Sequence, residues 1–161
     1  YVSNYFNIDK KKLDACKIIV FSPGPGDPSH YPETQKIYHQ YKGVKKIIGI
    51  CLGFQQILYA EKGQIIAQKR IFHGYQSRIK VLNGSSLFKP NKILLGGRYH
   101  SLKLKEPFYN KNLKITMRCA ETNVAMAIED TINNVYGFQF HPDSFLTVDG
   151  KFLIQKILQA K

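Results

Sequence analysis

Three features of the sequence predict an α/β fold, with a mostly parallel central sheet and an added antiparallel strand group. Two short apolar runs, KIIVFS at Lys17–Ser22 and the Ile47, Ile48 and Ile50 run, read as strands buried on both faces. A helix-length segment lies between them and another follows the second, so the order strand, helix, strand, helix implies parallel pairing through right-handed crossovers. Beyond Gly63 the pattern becomes short β-prone stretches with no helix-length segment between them, and several of these should pair antiparallel.

Taken in order, Tyr1–Asp9 fits the end of a helix or part of a strand, and Lys10–Asp14 reads as a polar approach to the first strand. That strand runs into Pro23-Gly24-Pro25-Gly26-Asp27-Pro28. Turn chemistry explains any two of these residues, but six in succession make a loop stiffer than a connection requires. Its place at the carboxyl end of a parallel strand is where open α/β sheets bind ligands. Pro32–Lys42 carries Ile37, Tyr38 and Tyr41 on one side of a helix that Gly43 can stop. After the second strand, Ile57, Leu58 and Ala60 suit one face of another helix, with Gly63 as its C-cap. The later strands are expected at Gln64–Gln68, Gln76–Val81, Lys92–Leu95, Lys114–Ala120, Ala125–Glu129 and Val135–Phe140, with Asn83-Gly84 and Asn133-Asn134 as turns. Gly150–Ala160 closes the chain as a helix with Phe152, Leu153, Ile157 and Leu158 apolar.

The 161 residues read as a single domain large enough to bury a core, and 43% apolar with 22% charged residues is ordinary for a folded soluble protein. With no apolar run long enough for a membrane span and no visible signal peptide, a cytoplasmic setting is expected. Cys16, Cys51 and Cys119 are odd in number and widely separated, which suggests neither a disulfide framework nor a zinc site. A formal charge of +13 raises the question of a polyanion partner. The excess is almost all lysine spread from Lys10 to Lys161, with only Arg70, Arg78, Arg98 and Arg118 to make bidentate contacts, and no nucleic-acid motif accompanies it. A nucleic-acid partner is therefore not expected.

The informative chemistry starts at Gly49-Ile50-Cys51-Leu52-Gly53, a G-x-C-x-G pattern at a strand-to-helix junction. That is the thiol form of the nucleophile elbow, whose sharp turn needs small neighbours. At a helix start, free backbone N–H groups would favour the Cys51 thiolate and could hold a developing oxyanion. A lone cysteine in a glycine-rich turn is more often a small buried residue, but two other stretches reverse those odds. One is the proline–glycine loop. The other is GFQFHPDS at 137–144, where a strand ends in His141, Pro142 stops the ladder, and Asp143 can return to the imidazole and fix its tautomer.

Together PGPGDP, GICLGFQ, RYHSL and GFQFHPDS resemble the class I glutamine amidotransferase family across essentially the whole chain. Within it the likeness is to the small, glutamine-hydrolysing subunits of anthranilate synthase and aminodeoxychorismate synthase. The resemblance implies a three-layer, flavodoxin-like fold and a triad of Cys51 as nucleophile, His141 as general base and acid, and Asp143 orienting His141. It implies backbone N–H donors from Gly24 and Leu52 for the oxyanion. In the same loops Pro25, Gly26, Gln55, Ser101 and Leu102 match positions around the bound L-glutamine. It further implies, as partner, a chorismate-binding synthase subunit, with neither a cofactor nor a metal. His73-Gly74 would lie near that partner or in a solvated loop; His100 reads as structural, His30 and His39 as surface residues, and Cys16 and Cys119 as core.

Three departures from the family pattern stand out. The family usually has glutamate where Asp143 stands, which shortens the reach to His141 by one methylene. It usually has histidine where Phe54 stands, from which a packing change is expected. Family members also begin with a further strand and helix, so the 1–161 chain reads as a domain lacking that first unit rather than one with a natural start. A catalytically silent binding subunit, in which Asp143 and the short N-terminus reflect lost activity, is the alternative to a working glutaminase.

Overall fold

The computed structural model describes residues 1–160. A seven-stranded sheet forms the middle of the molecule. Its elements are β1 (Ile18–Phe21), β2 (Lys46–Ile50), β4 (Tyr75–Val81), β5 (Ile93–Arg98), β7 (Lys114–Cys119), β8 (Ala125–Asp130) and β9 (Val135–Phe138), in the spatial order β1-β2-β9-β8-β7-β4-β5. The strands β1, β2 and β9 pair in parallel, and every pairing from β9 to β5 is antiparallel. The antiparallel group is thus a continuation of the parallel sheet. A separate two-stranded ribbon joins β3 (Ile65–Ala67) to β6 (Leu102–Leu104).

Helices on both faces make three layers. Side chains of β2 alternate between two cores, as a strand covered on both faces requires. Ile47 joins Phe21, Tyr38, Tyr41, Phe54, Ile57 and Leu58 beneath α2 (Pro32–Tyr41) and α3 (Leu52–Ala60). Ile48 and Ile50 face the other way, with Met117, Met126, Phe138 and Phe140, beneath Leu153 and Ile157 of α4 (Gly150–Gln159). Lys46 begins β2 yet is buried, because its Nζ donates to the Ile157, Leu158 and Ala160 carbonyls and so caps the C-terminal end of α4. Phe54, the family's histidine position, lies fully inside the α2/α3 core.

Several local readings change. Lys10–Asp14, read as a polar approach, lies in a short helix, α1 (Lys10–Ala15), because Asp9 caps it by accepting from the Lys11 and Lys12 N–H groups. At the end of α3 the left-handed residue is Lys62, not Gly63; the Gly63 N–H still closes onto the Leu58 carbonyl at 2.8 Å. Gly84 does take a left-handed turn, but inside the long loop from Leu82 to Lys92 rather than in a tight hairpin. Cys119 is core as expected, whereas Cys16 is only half-buried. Among the described residues no helix is long and apolar enough to cross a membrane.

Candidate active site

Cys51 sits where β2 becomes α3, with φ 52° and ψ −101°. That is a left-handed conformation rare for a residue with a side chain, and it is the strained nucleophile elbow that the glycine spacing predicts. A Cβ on Gly49 would stand 2.5 Å from the Gly53 carbonyl oxygen, so only glycine lets α3 turn back this tightly over β2. The Cys51 N–H donates to the Phe138 carbonyl at 2.8 Å, which ties the elbow to the end of β9.

The proline–glycine loop leaves β1 beside the elbow. Gly24 packs so close to Leu52 that an added Cβ would be 3.0 Å from Leu52 Cδ2. The two residues expected to donate to the oxyanion therefore lie next to each other, in contact through the Leu52 side chain. Farther along the loop the Pro25 carbonyl accepts from Tyr31 Oη at 2.6 Å and Gly26 turns with φ 85°, contacts that fix the loop's course.

In the register of β2 and β9, Ile50 is opposite Phe138, so Cys51 and His141 both leave the carboxyl ends of neighbouring parallel strands. His141 is held by its backbone: its N–H donates to Gly97 O at 2.9 Å, and its carbonyl accepts from Thr147 Oγ1 at 2.5 Å. The edge of the Tyr99 ring rests on the imidazole with centroids 5.0 Å apart. Asp143 Oδ1 lies 3.5 Å from His141 Nδ1, a loose contact, with the Asp143 side chain 72% exposed and that of His141 15% exposed. The other ring nitrogen, Nε2, is buried and has no hydrogen-bond partner among the described residues. No hydrogen bond joins His141 to Cys51 there, so the two must draw together before a proton passes between them.

Burial dominates the electrostatics. It pushes the Cys51 thiol up to about 11, against the pull of the Leu52 backbone N–H; the Asp143 charge adds to the rise and Gln139 opposes it. The helix start therefore does not make a free thiolate as expected, because desolvation outweighs it. Burial also lowers the His141 imidazole, with Asp143 partly offsetting it, so the ring is neutral at neutral pH and able to take a proton.

Of the remaining expected residues, Gln55 is buried on α3 and donates through Nε2 to Gln139 Oε1 at 3.0 Å and to Leu102 O at 3.5 Å. Ser101 is exposed, and its carbonyl accepts from the Gln68 N–H at 2.9 Å. The loop carrying Ser101 and Leu102 is braced by His100, whose Nε2 accepts from Arg98 Nε at 3.0 Å and whose Nδ1 lies 2.7 Å from Leu102 O. His73 is exposed. Gln139, Tyr99 and Thr147 were missed by the sequence reading. Gln139 alternates with the core residues Phe138 and Phe140, so a period of two already turns it toward α3.

Burial holds His100 down at about 4. Below the unfolded value of about 6.5 the unfolded chain binds a proton that the folded chain refuses, so this group costs stability as pH falls from about 6.5 to 4, by about 3 kcal/mol in all. Urea midpoints measured across that range should fall less steeply for His100→Gln than for the parent.

The chain is similar to known proteins over almost its whole length. The family model described as glutamine amidotransferase class-I matches residues 1–160. Anthranilate synthase component 2 of Lactococcus lactis is 35% identical over 150 residues, 92% of this chain and 74% of that protein. Its namesake in Methanocaldococcus jannaschii is 39% identical over 149 residues, 91% of this chain and 72% of that one. Among solved structures, a Thermoplasma acidophilum protein assigned to GMP synthase superposes with TM-score 0.79 at 19% identity, covering 94% of this chain and 75% of its own. A glutamine amidotransferase from Methylobacillus flagellatus gives TM-score 0.69 at 18% identity, covering 82% and 54%. Elbow, loop and strand-end histidine are thus set in the fold of known amidotransferases, and the chain belongs to the class I glutamine amidotransferase family.

Proposed function

We propose that this chain hydrolyses the side-chain amide of L-glutamine and delivers the ammonia to a chorismate-using synthase subunit in the cytoplasm. The observation that carries the reading is the strained Cys51 elbow lying beside Gly24 and at the end of the strand that neighbours the one bearing His141. His141 Nε2 takes the thiol proton and the Cys51 sulfur attacks the amide carbon. The oxyanion that forms is held by the Leu52 and Gly24 N–H groups, and each such donor is worth about 3–4 kcal/mol in the transition state. His141 returns the proton to the leaving nitrogen, which departs as ammonia. Water, deprotonated by the same imidazole, then releases glutamate from the glutamyl thioester. Asp143 orients His141, and Pro25, Gly26, Gln55, Ser101 and Leu102 surround the substrate.

The relatives named anthranilate synthase component 2 support a synthase partner; we propose that this partner makes either anthranilate or aminodeoxychorismate. The chain's charge of +13 would speed docking onto an acidic partner. Incubation with the glutamine analogue diazo-oxo-norleucine, with and without the co-purifying synthase subunit, tests the proposal. An adduct on Cys51 is expected; its absence in both conditions overturns the glutaminase reading in favour of a silent binding subunit.

The 3.5 Å gap between Asp143 and His141 makes a further expectation. Asp143→Ala should lower kcat/KM only about tenfold, since an exposed and loosely held carboxylate contributes on the order of 1 kcal/mol. Asp143→Glu should equal or exceed the parent, because one more methylene closes the gap. Steady-state glutaminase assays of both variants decide it.

A further inference from the structure

Gln139 is a fully buried polar side chain with contacts to two residues of the site and no role in the triad. Its Oε1 accepts from Gln55 Nε2 at 3.0 Å, and its own Nε2 lies 3.8 Å from Cys51 Sγ. The direction of these two amides is set by a third group. The Leu102 carbonyl, 3.5 Å from Gln55 Nε2, can only accept, so Gln55 must present its NH2 there. Gln139 consequently offers oxygen to Gln55 and an N–H to the sulfur. With both amides reversed, oxygen would face oxygen at Leu102 and again face the electron-rich sulfur.

We propose that Gln139 is a positioning residue for the reaction: one half of its amide holds Gln55, and the other donates to the Cys51 sulfur as the thiolate forms. The inference rests on Cys51 being the nucleophile. The thiol is 7% exposed, so water contributes little to stabilising its anion. The groups acting on the sulfur are the Leu52 N–H from α3, the Asp143 carboxylate, which opposes the anion, and Gln139. The His141 ring, 3.5 Å from the Asp143 carboxylate, is the other titratable group of the segment that follows β9. Gln139 thus supplies a neutral donor in a dry setting, where a donor to an anion has its greatest effect. The same amide leaves Gln55 Oε1 without a described donor, free to accept from an N–H of the substrate.

The test is the rate of Cys51 alkylation by iodoacetamide against pH, read by peptide mass spectrometry so that Cys16 and Cys119 are counted apart. Gln139→Met keeps the length and removes the donor. It should slow alkylation about tenfold at every pH between about 7 and 9. Gln139→Glu keeps the acceptor for Gln55, but its carboxyl ionises over the same range, so the rise of rate with pH should flatten. Altered access alone would lower rates by a constant factor and leave that slope unchanged, so the slope in Gln139→Glu, and not the uniform loss in Gln139→Met, tells the two apart. Glutaminase assays should show KM for glutamine raised in Gln139→Met, as Gln55 loses its anchor. Parent-like alkylation profiles in either variant that retains the parent's circular dichroism overturn the inference; because Gln139→Glu is isosteric, it decides should Gln139→Met not fold. Labelling of the parent by diazo-oxo-norleucine tests the glutaminase reading alone, so the two can fail separately.

Discussion

Cys51→Gly is expected to be devoid of glutaminase activity and yet more stable than Cys51→Ala, by about 1–2 kcal/mol. Both variants remove the sulfur, so both should lose the covalent route and fall at least about 10⁴-fold in kcat. They differ in the backbone. At φ 52° and ψ −101° any residue with a Cβ is strained, at a cost on the order of 1–3 kcal/mol, and glycine alone adopts this conformation freely. Elsewhere glycine is the less stable of the pair by roughly 0.5–1 kcal/mol through its greater unfolded-state freedom. An inversion of the usual order at this one position would therefore report strain directly. Thermal or urea unfolding of the two inactive variants measures it, free of any effect of the lost thiol because both lack it. If alanine proves equal or better, the elbow stores no strain and the geometry at Cys51 has another cause.

The elbow shows how much of the site was legible in the sequence. A G-x-C-x-G pattern after a buried apolar run encodes its own local structure, since only glycine fits against the facing backbone at Gly49 and Gly53. His141 was legible for a similar reason: proline after it must end the ladder. The pairing of β2 with β9 was not, because a partner more than 80 residues away leaves no periodic trace in either strand. The short β6 was missed since LKL at 102–104 is too brief to show alternation, and it exists only because β3 pairs with it. The helix α1 was hidden by its polarity: none of its residues is buried, and the Asp9 cap rather than an apolar stripe defines it. Nor could spacing reveal that the Cys51 thiol is held up by burial, since that depends on everything packed around it. The role of Gln139 lay between these cases. Its face could be read from alternation with Phe138 and Phe140, but its pairing with Gln55 required the tertiary contact.

Gly53→Ala should be among the most damaging small substitutions in the chain, costing at least about 3–4 kcal/mol and most of the activity. A Cβ built on Gly53 would overlap the Phe21 carbonyl oxygen, with the carbonyl carbon 2.6 Å away and Phe21 Cβ 2.7 Å away. The obstacle is backbone, which cannot rotate aside as a flexible side chain can, so α3 must lift from β1. Lifting opens the α2/α3 core around Phe21, Phe54 and Ile57 and leaves voids in a closely packed region. It also separates Leu52 from Gly24, the two proposed oxyanion donors, since the proline–glycine loop follows one residue after Phe21 and Leu52 opens the helix that carries Gly53. Loss of one donor from an oxyanion site costs about 10²–10³ in kcat. Gly24→Ala is the control: its added Cβ meets the Leu52 side-chain methyl at 3.0 Å, which can move, and Tyr31 Oη at an ordinary 3.9 Å. Denaturant unfolding should therefore separate the two glycines by at least about 2 kcal/mol. Equal stability of the two variants would mean that β1 and α3 do not pack backbone to backbone, and the adjacency of Gly24 to Leu52 would lose its structural basis.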